Sequence, residues 1–106
     1  PTKLILYAKP ECCLCEGLQE KLQQIRGVEF ELEVRDITTN SQWFDRYQYE
    51  IPVLCLWQID RELELPRISP RSTVAQVENS IGSYIGDRAS KLALWLGKQL
   101  ELVIIG

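Results

Sequence analysis

The chain has 106 residues, 45% of them hydrophobic and 25% charged, which fits one globular domain with a packed core and excludes disordered, collagen-like and multi-domain organisation. Its formal net charge is -3 with acidic and basic residues interspersed, so there is no basic stripe to meet nucleic acid or an anionic membrane. No stretch approaches the roughly 18 apolar residues of a membrane-spanning helix, and Pro1-Thr2-Lys3 runs into a strand-like segment instead of a signal-peptide core, so a cytoplasmic location is expected.

Leu4-Ile5-Leu6-Tyr7-Ala8 is an unbroken apolar run, which predicts a central strand covered on both faces. After Pro10, residues Leu14, Leu18, Leu22 and Ile25 recur at helical spacing until Gly27 ends the pattern. Val28, Phe30, Leu32 and Val34 then alternate with Glu29, Glu31 and Glu33, as an edge strand with one wet face should. Thr38-Thr39-Asn40-Ser41 offers N-caps for a short helix that would bury Trp43, Phe44 and Tyr47. Ile51 to Trp57 reads as a second buried strand, with Pro52 at its start where a missing N–H costs least. The turn Ile59-Asp60-Arg61 leads to Glu62-Leu63-Glu64-Leu65, an antiparallel partner for that strand. Ser72 is placed to cap a helix whose inner face is Val74, Val77, Ile81 and Ile85.

The predicted order is βαβαββα, an α/β domain over residues 1–85. Residues 86–106 form an additional C-terminal helical segment in this reading. Leu92, Leu96, Leu100 and Val103 share one side, and Leu94 and Trp95 add apolar surface around it. Such a helix is too apolar to stand alone in water, so it is expected to pack on the domain or to form a homodimer contact.

The chemistry concentrates at Lys9-Pro10-Glu11-Cys12-Cys13-Leu14-Cys15. Residues three apart on a helix have Cβ atoms about 5 to 6 Å apart, so Cys12 and Cys15 share a side within disulfide reach, whereas Cys13 points away. At the helix start, free N–H groups and the macrodipole favour a thiolate on Cys12. Lys9 adds a positive charge and Glu11 opposes it. Cys15, one turn deeper on the face of Leu18 and Leu22, is the natural resolving thiol. Cys55, inside an apolar strand, reads as core packing, and Cys13, exposed on the first turn, as either a spare oxidisable thiol or a tolerated neighbour. The four cysteines do not have paired-knuckle spacing and there is no histidine, so no metal site is expected.

An apolar strand ending in Tyr7-Ala8-Lys9, a C-x-x-C at a helix start, and Ile51-Pro52-Val53 opening a later strand together resemble small bacterial glutaredoxin-like proteins with a C-x-L-C motif, in the thioredoxin superfamily. The resemblance covers about residues 3 to 85. It implies a thioredoxin-like fold with a cis bond at Ile51-Pro52 beside the dithiol. It implies too that the Ile51 backbone pairs with an extended thiol substrate, alongside Lys9 and Pro52. The implied activity is thiol-disulfide oxidoreduction through Cys12 and Cys15. Its partners would be protein or glutathione disulfides, with glutathione a co-substrate and no cofactor required. Where glutaredoxins carry a Gly-Gly pair before the last helix, this chain has Ser69-Pro70-Arg71-Ser72, and Arg71 becomes the candidate for a substrate carboxylate. Two other readings stay open: an iron-sulfur carrier using Cys12 of two subunits with two external thiols, and an interaction module whose cysteines are incidental.

Overall fold

The computed structural model describes residues 2–85. The apolar run folds as strand β1 (Lys3–Ala8), with Leu4 to Ala8 all buried. Helix α1 (Cys13–Gln24) follows, with Leu18 and Leu22 buried and Ile25 buried just past its end. Strand β2 (Glu31–Asp36) runs parallel to β1 in the register Lys3 opposite Glu31 through Ala8 opposite Asp36. A 3-10 turn (Ile37–Thr39) and helix α2 (Ser41–Tyr47) lead to β3 (Val53–Trp57) and β4 (Glu62–Glu64). Residues 74–85 are helical and are called α3. The sheet order is β2-β1-β3-β4, with β3 antiparallel to both β1 and β4.

Because side chains alternate along a strand, the sheet buries two separate cores. Leu4, Leu6, Leu54 and Leu56 meet α1 and α3 through Leu18, Leu22, Val77 and Ile81. Ile5, Tyr7, Val53 and Cys55 meet Ile37 and Tyr47 on the other face. That second face also carries a polar clamp. The Tyr7 hydroxyl donates to Glu62, Arg35 Nη1 donates to the Tyr7 oxygen at 2.9 Å, and the Arg35 guanidinium lies 5.1 Å from the Trp43 ring. Burial and the Glu62 carboxylate both push the Tyr7 hydroxyl well above the ordinary phenol range.

Several expectations are corrected. Leu14 is 48% exposed, because it sits one turn before the stripe reaches the sheet and faces an open groove. The alternating pattern from Val28 begins before the strand does. Val28 and Phe30 pack on the core ahead of β2, while Val34 is exposed where the strand end borders a cleft. Asn40 is the cap of α2, its Oδ1 accepting from Gln42 N and Trp43 N. In so short a helix one face meets the sheet; Trp43 and Tyr47, four apart, occupy it, and Phe44 is left exposed. Thr73, not Ser72, caps α3, by a reciprocal box in which Thr73 Oγ1 accepts from Gln76 N at 3.1 Å and Gln76 Oε1 accepts from Thr73 N at 2.9 Å. The expected C-terminal helix and its homodimer contact, residues 86–106, lie outside the described residues. Among the described residues no helix is long and apolar enough to cross a membrane.

The capping box and the α3 core face separate in size. Thr73→Ala should lower stability by about 1 kcal/mol, and Ile81→Ala, at a fully buried position, by about 2 to 5 kcal/mol. Urea midpoints with an unchanged slope would measure both.

Candidate active site

The chain leaves β1 through Pro10 and Glu11, and Glu11 takes the left-handed backbone conformation at φ 64°. An L-residue holds that conformation at a cost of roughly 1 to 2 kcal/mol, and the turn it makes delivers Cys12 to the N-cap of α1 in an extended conformation. The Cys12 sulfur takes the place of the usual capping oxygen: Cys15 N donates to Cys12 Sγ at 3.2 Å. Cys12 and Cys15 are joined as a disulfide with their Cα atoms 5.2 Å apart, the pairing that helical spacing predicts. Cys15 is buried, Cys12 half-buried and Cys13 exposed.

On one side of the motif lies a groove of about 160 Å³. Its apolar surface comes from Leu14, Leu18, Pro52, Ile68 and Pro70, and Lys21 and Arg67 supply two cations. Both cations brace the β4–α3 loop: Lys21 Nζ donates to Pro70 O at 2.8 Å, and Arg67 Nη1 to Glu50 O at 2.9 Å. The Ile51-Pro52 bond is cis, and Pro52 shares this groove with Cys13, the residue after Cys12.

The expected substrate residues divide. Pro52 is in the groove. Ile51 is half-buried and packs on both cores, and its N–H already donates to Tyr47 O at 3.1 Å. The Ile51 donor is thus used within the chain, which leaves its carbonyl as the backbone group for the substrate pairing expected there. Lys9 is exposed and lines a different cleft, on the β2 side, together with Cys15. Arg71 is exposed and does not line the groove; its backbone N donates to Ser69 Oγ. The loop cation that lines it is Arg67. The sequence reading did not anticipate Leu14, Lys21, Arg67 and Ile68 as residues that line this groove. Lys21 carried one signal, since it follows Leu14 by seven residues, two helical turns.

Cys55 behaves differently from the motif thiols. It is buried between Val53 and Tyr47 on the α2 face, and burial together with the Glu62 and Glu64 carboxylates pushes its thiol up to about 11.

The family model described as "Glutaredoxin-like domain (DUF836)" matches residues 3–82. The chain belongs to that family. This glutaredoxin-like domain also shares its fold with solved thioredoxin-type structures. Thioredoxin 1 from Thermosipho africanus TCF52B superposes with TM-score 0.55 at 21% identity, over 82% of this chain and 98% of that one. The target protein XcR50 from X. campestris gives 0.53 at 25% identity, over 76% and 96%. The Trx4 domain of ERdj5 gives 0.54 at 14% identity, over 79% of each. The thioredoxin-like fold expected from the motif is thus the fold this glutaredoxin-like domain has.

A pH test follows from Cys55. Its folded value of about 11 exceeds the ordinary value of about 9, so the unfolded chain gives up this proton first as pH rises. The stabilising contribution is full below about pH 9 and is lost through about pH 11. The stability of Cys55→Val should therefore fall less steeply than that of the parent across that window, as urea unfolding at each pH would record.

Proposed function

We propose that the protein is a thiol-disulfide oxidoreductase acting on protein disulfides, with Cys12 the attacking thiol and Cys15 the resolving one. The observation that carries this reading is the position of Cys12: half-exposed, its sulfur receiving an N–H at the positive end of α1, with a buried partner thiol in reach. In the cycle, the Cys12 thiolate attacks one sulfur of a substrate disulfide, R–S–S–R′, and releases R′–S⁻. The Cys15 thiolate then attacks Cys12 Sγ and releases R–S⁻, so the substrate is reduced and the protein pair oxidised. An external thiol of the cell restores the dithiol, and glutathione would serve as that co-substrate. No further cofactor enters the cycle. It requires a reducing compartment, for which the cytoplasm is our assignment.

The groove supports a polypeptide substrate more than glutathione. Its walls are largely apolar, and glutathione has no apolar side chain to bury there. With the Ile51 N–H used, the backbone group left at the cis bond is the Ile51 carbonyl, which accepts from a substrate amide. Lys21 and Arg67 would favour an acidic residue near the substrate cysteine. In this reading Arg71 meets long substrates outside the groove, and Lys9 acts on the dithiol itself.

Cys12→Ser should abolish protein disulfide reduction, and Cys15→Ser should accumulate a mixed disulfide on Cys12, read as a mass adduct mapped to that residue. Turnover with a protein disulfide should exceed turnover with glutathione disulfide. An adduct forming on Cys15 of the Cys12→Ser protein as fast as on Cys12 of the Cys15→Ser protein would reverse the roles.

A further inference from the structure

A polypeptide held beside the cis bond needs a backbone acceptor that is already aimed when it arrives, since ordering that acceptor on binding would cost affinity. Among the described residues the Ile51 oxygen accepts no hydrogen bond from the chain, so it is open to a substrate amide. Its direction follows from its neighbours. A residue before proline is restricted to extended backbone, so the Ile51 carbonyl turns with the peptide group that precedes it. The Ile51 side chain packs on both cores, and what remains to be held is the rotation of that Glu50–Ile51 peptide group.

A trans peptide group is planar, so its oxygen and its N–H point to opposite sides, and here both are engaged. Ile51 N donates to Tyr47 O at 3.1 Å, and Glu50 N donates to the same oxygen at 2.9 Å, which ties the turn to the end of α2. The Glu50 oxygen accepts from Arg67 Nη1 at 2.9 Å, from the β4–α3 loop opposite. On that second side packing gives little support. A cavity of about 300 Å³ separates the turn from the end of β4, with Glu50, Pro52 and Val53 lining one wall and Leu65, Pro66 and Arg67 the other. Arg67 lines the substrate groove as well. Its side chain therefore borders open space twice, and its hydrogen bond is the tie that crosses to Glu50.

We infer that Arg67 is a positioning residue for the substrate: by holding the Glu50 oxygen it fixes the peptide group ahead of the cis bond and so aims the Ile51 carbonyl at a substrate amide. The inference rests on the oxidoreductase reading above and gives Arg67 a role separate from the attraction of its charge. An arginine suits the task, because its planar guanidinium keeps its donors in fixed directions while one of them holds a carbonyl. The loop that lines the groove is thereby joined to the turn that carries the groove's backbone acceptor. A substrate with no backbone N–H beside its cysteine gains nothing from this arrangement.

The test is single-turnover reaction of the full chain, with Cys13→Ser to remove the exposed third thiol, against a neutral synthetic peptide whose one cysteine is activated as its 2-pyridyl disulfide. Cys12 attacks the peptide sulfur, forms the mixed disulfide and releases the pyridine thiolate, which is taken up as the absorbing thione. Versions of the peptide N-methylated at the cysteine or at either neighbour each lack one backbone donor. In the parent, one of these should raise the half-saturating concentration by about two- to tenfold, the worth of one hydrogen bond, with the plateau rate unchanged. Arg67 is exposed, and Arg67→Met keeps its stem while removing its donors. That variant should bind the unmodified peptide more weakly by a similar factor, keep the plateau rate, and lose most of the penalty for N-methylation. Lys21→Met removes the other cation of the groove and should keep that penalty in full. A full penalty retained in Arg67→Met, a penalty lost in Lys21→Met as well, no penalty in the parent, or a fall in plateau rate with half-saturation unmoved would each overturn the positioning role. Thione release by Cys12→Ser as fast as by the parent would overturn the roles of the dithiol instead.

Discussion

Everything at the active end of this domain depends on a cysteine doing the work of a helix cap. The Cys12 sulfur receives the Cys15 N–H at the open end of α1, where an uncharged thiol is a weak acceptor and a thiolate a strong one. The helix start therefore gains most when Cys12 is ionised. The same contact holds the two cysteines at disulfide separation, so in our proposal the cap that activates one thiol also sets the distance over which the other resolves it. Stabilising the thiolate stabilises the dithiol form against the disulfide, which moves the couple in the oxidising direction.

The sheet supplies the contrast between Cys15 and Cys55. Both sulfurs are buried, but they lie in opposite cores. Cys15 borders a cleft with Lys9 as well as carboxylates, whereas Cys55 borders a cavity with Glu62 and Glu64 and its thiol is pushed up to about 11. Position in the fold thus separates the two buried thiols, one paired with Cys12 and given the resolving role in our proposal, the other packed in the opposite core. The Tyr7, Arg35 and Glu62 clamp joins β2, β1 and β4 on the Cys55 face, and it secures the edges of the sheet without touching the dithiol.

The element order, both buried strands and the reactive pair were legible because they rest on local rules. Strand and helix differ in period, and i, i+3 spacing on a helix is a fixed distance. Leu14 shows where such rules stop. Its spacing matches Leu18 and Leu22, yet whether the first turn of a helix is covered depends on which loop lies opposite, here the braced loop at Ile68 and Pro70. Arg67 and Arg71 are four apart in one loop, and only the folded path decides that Arg67 lines the groove. Thr73 displaced Ser72 as the cap because Gln76 completes a reciprocal box with Thr73, a detail of one residue that composition does not distinguish.

The central claim is that Cys12 and Cys15 form a reversible dithiol-disulfide couple. Equilibrating the full chain across a series of glutathione redox buffers, trapping free thiols by alkylation and mapping the products by mass measures this directly. The account predicts one two-electron transition, with a Cys12–Cys15 linkage in the oxidised form and Cys55 unlinked throughout. A chain that shows no reversible transition, or whose main oxidised product joins Cys12 to Cys13, would contradict it.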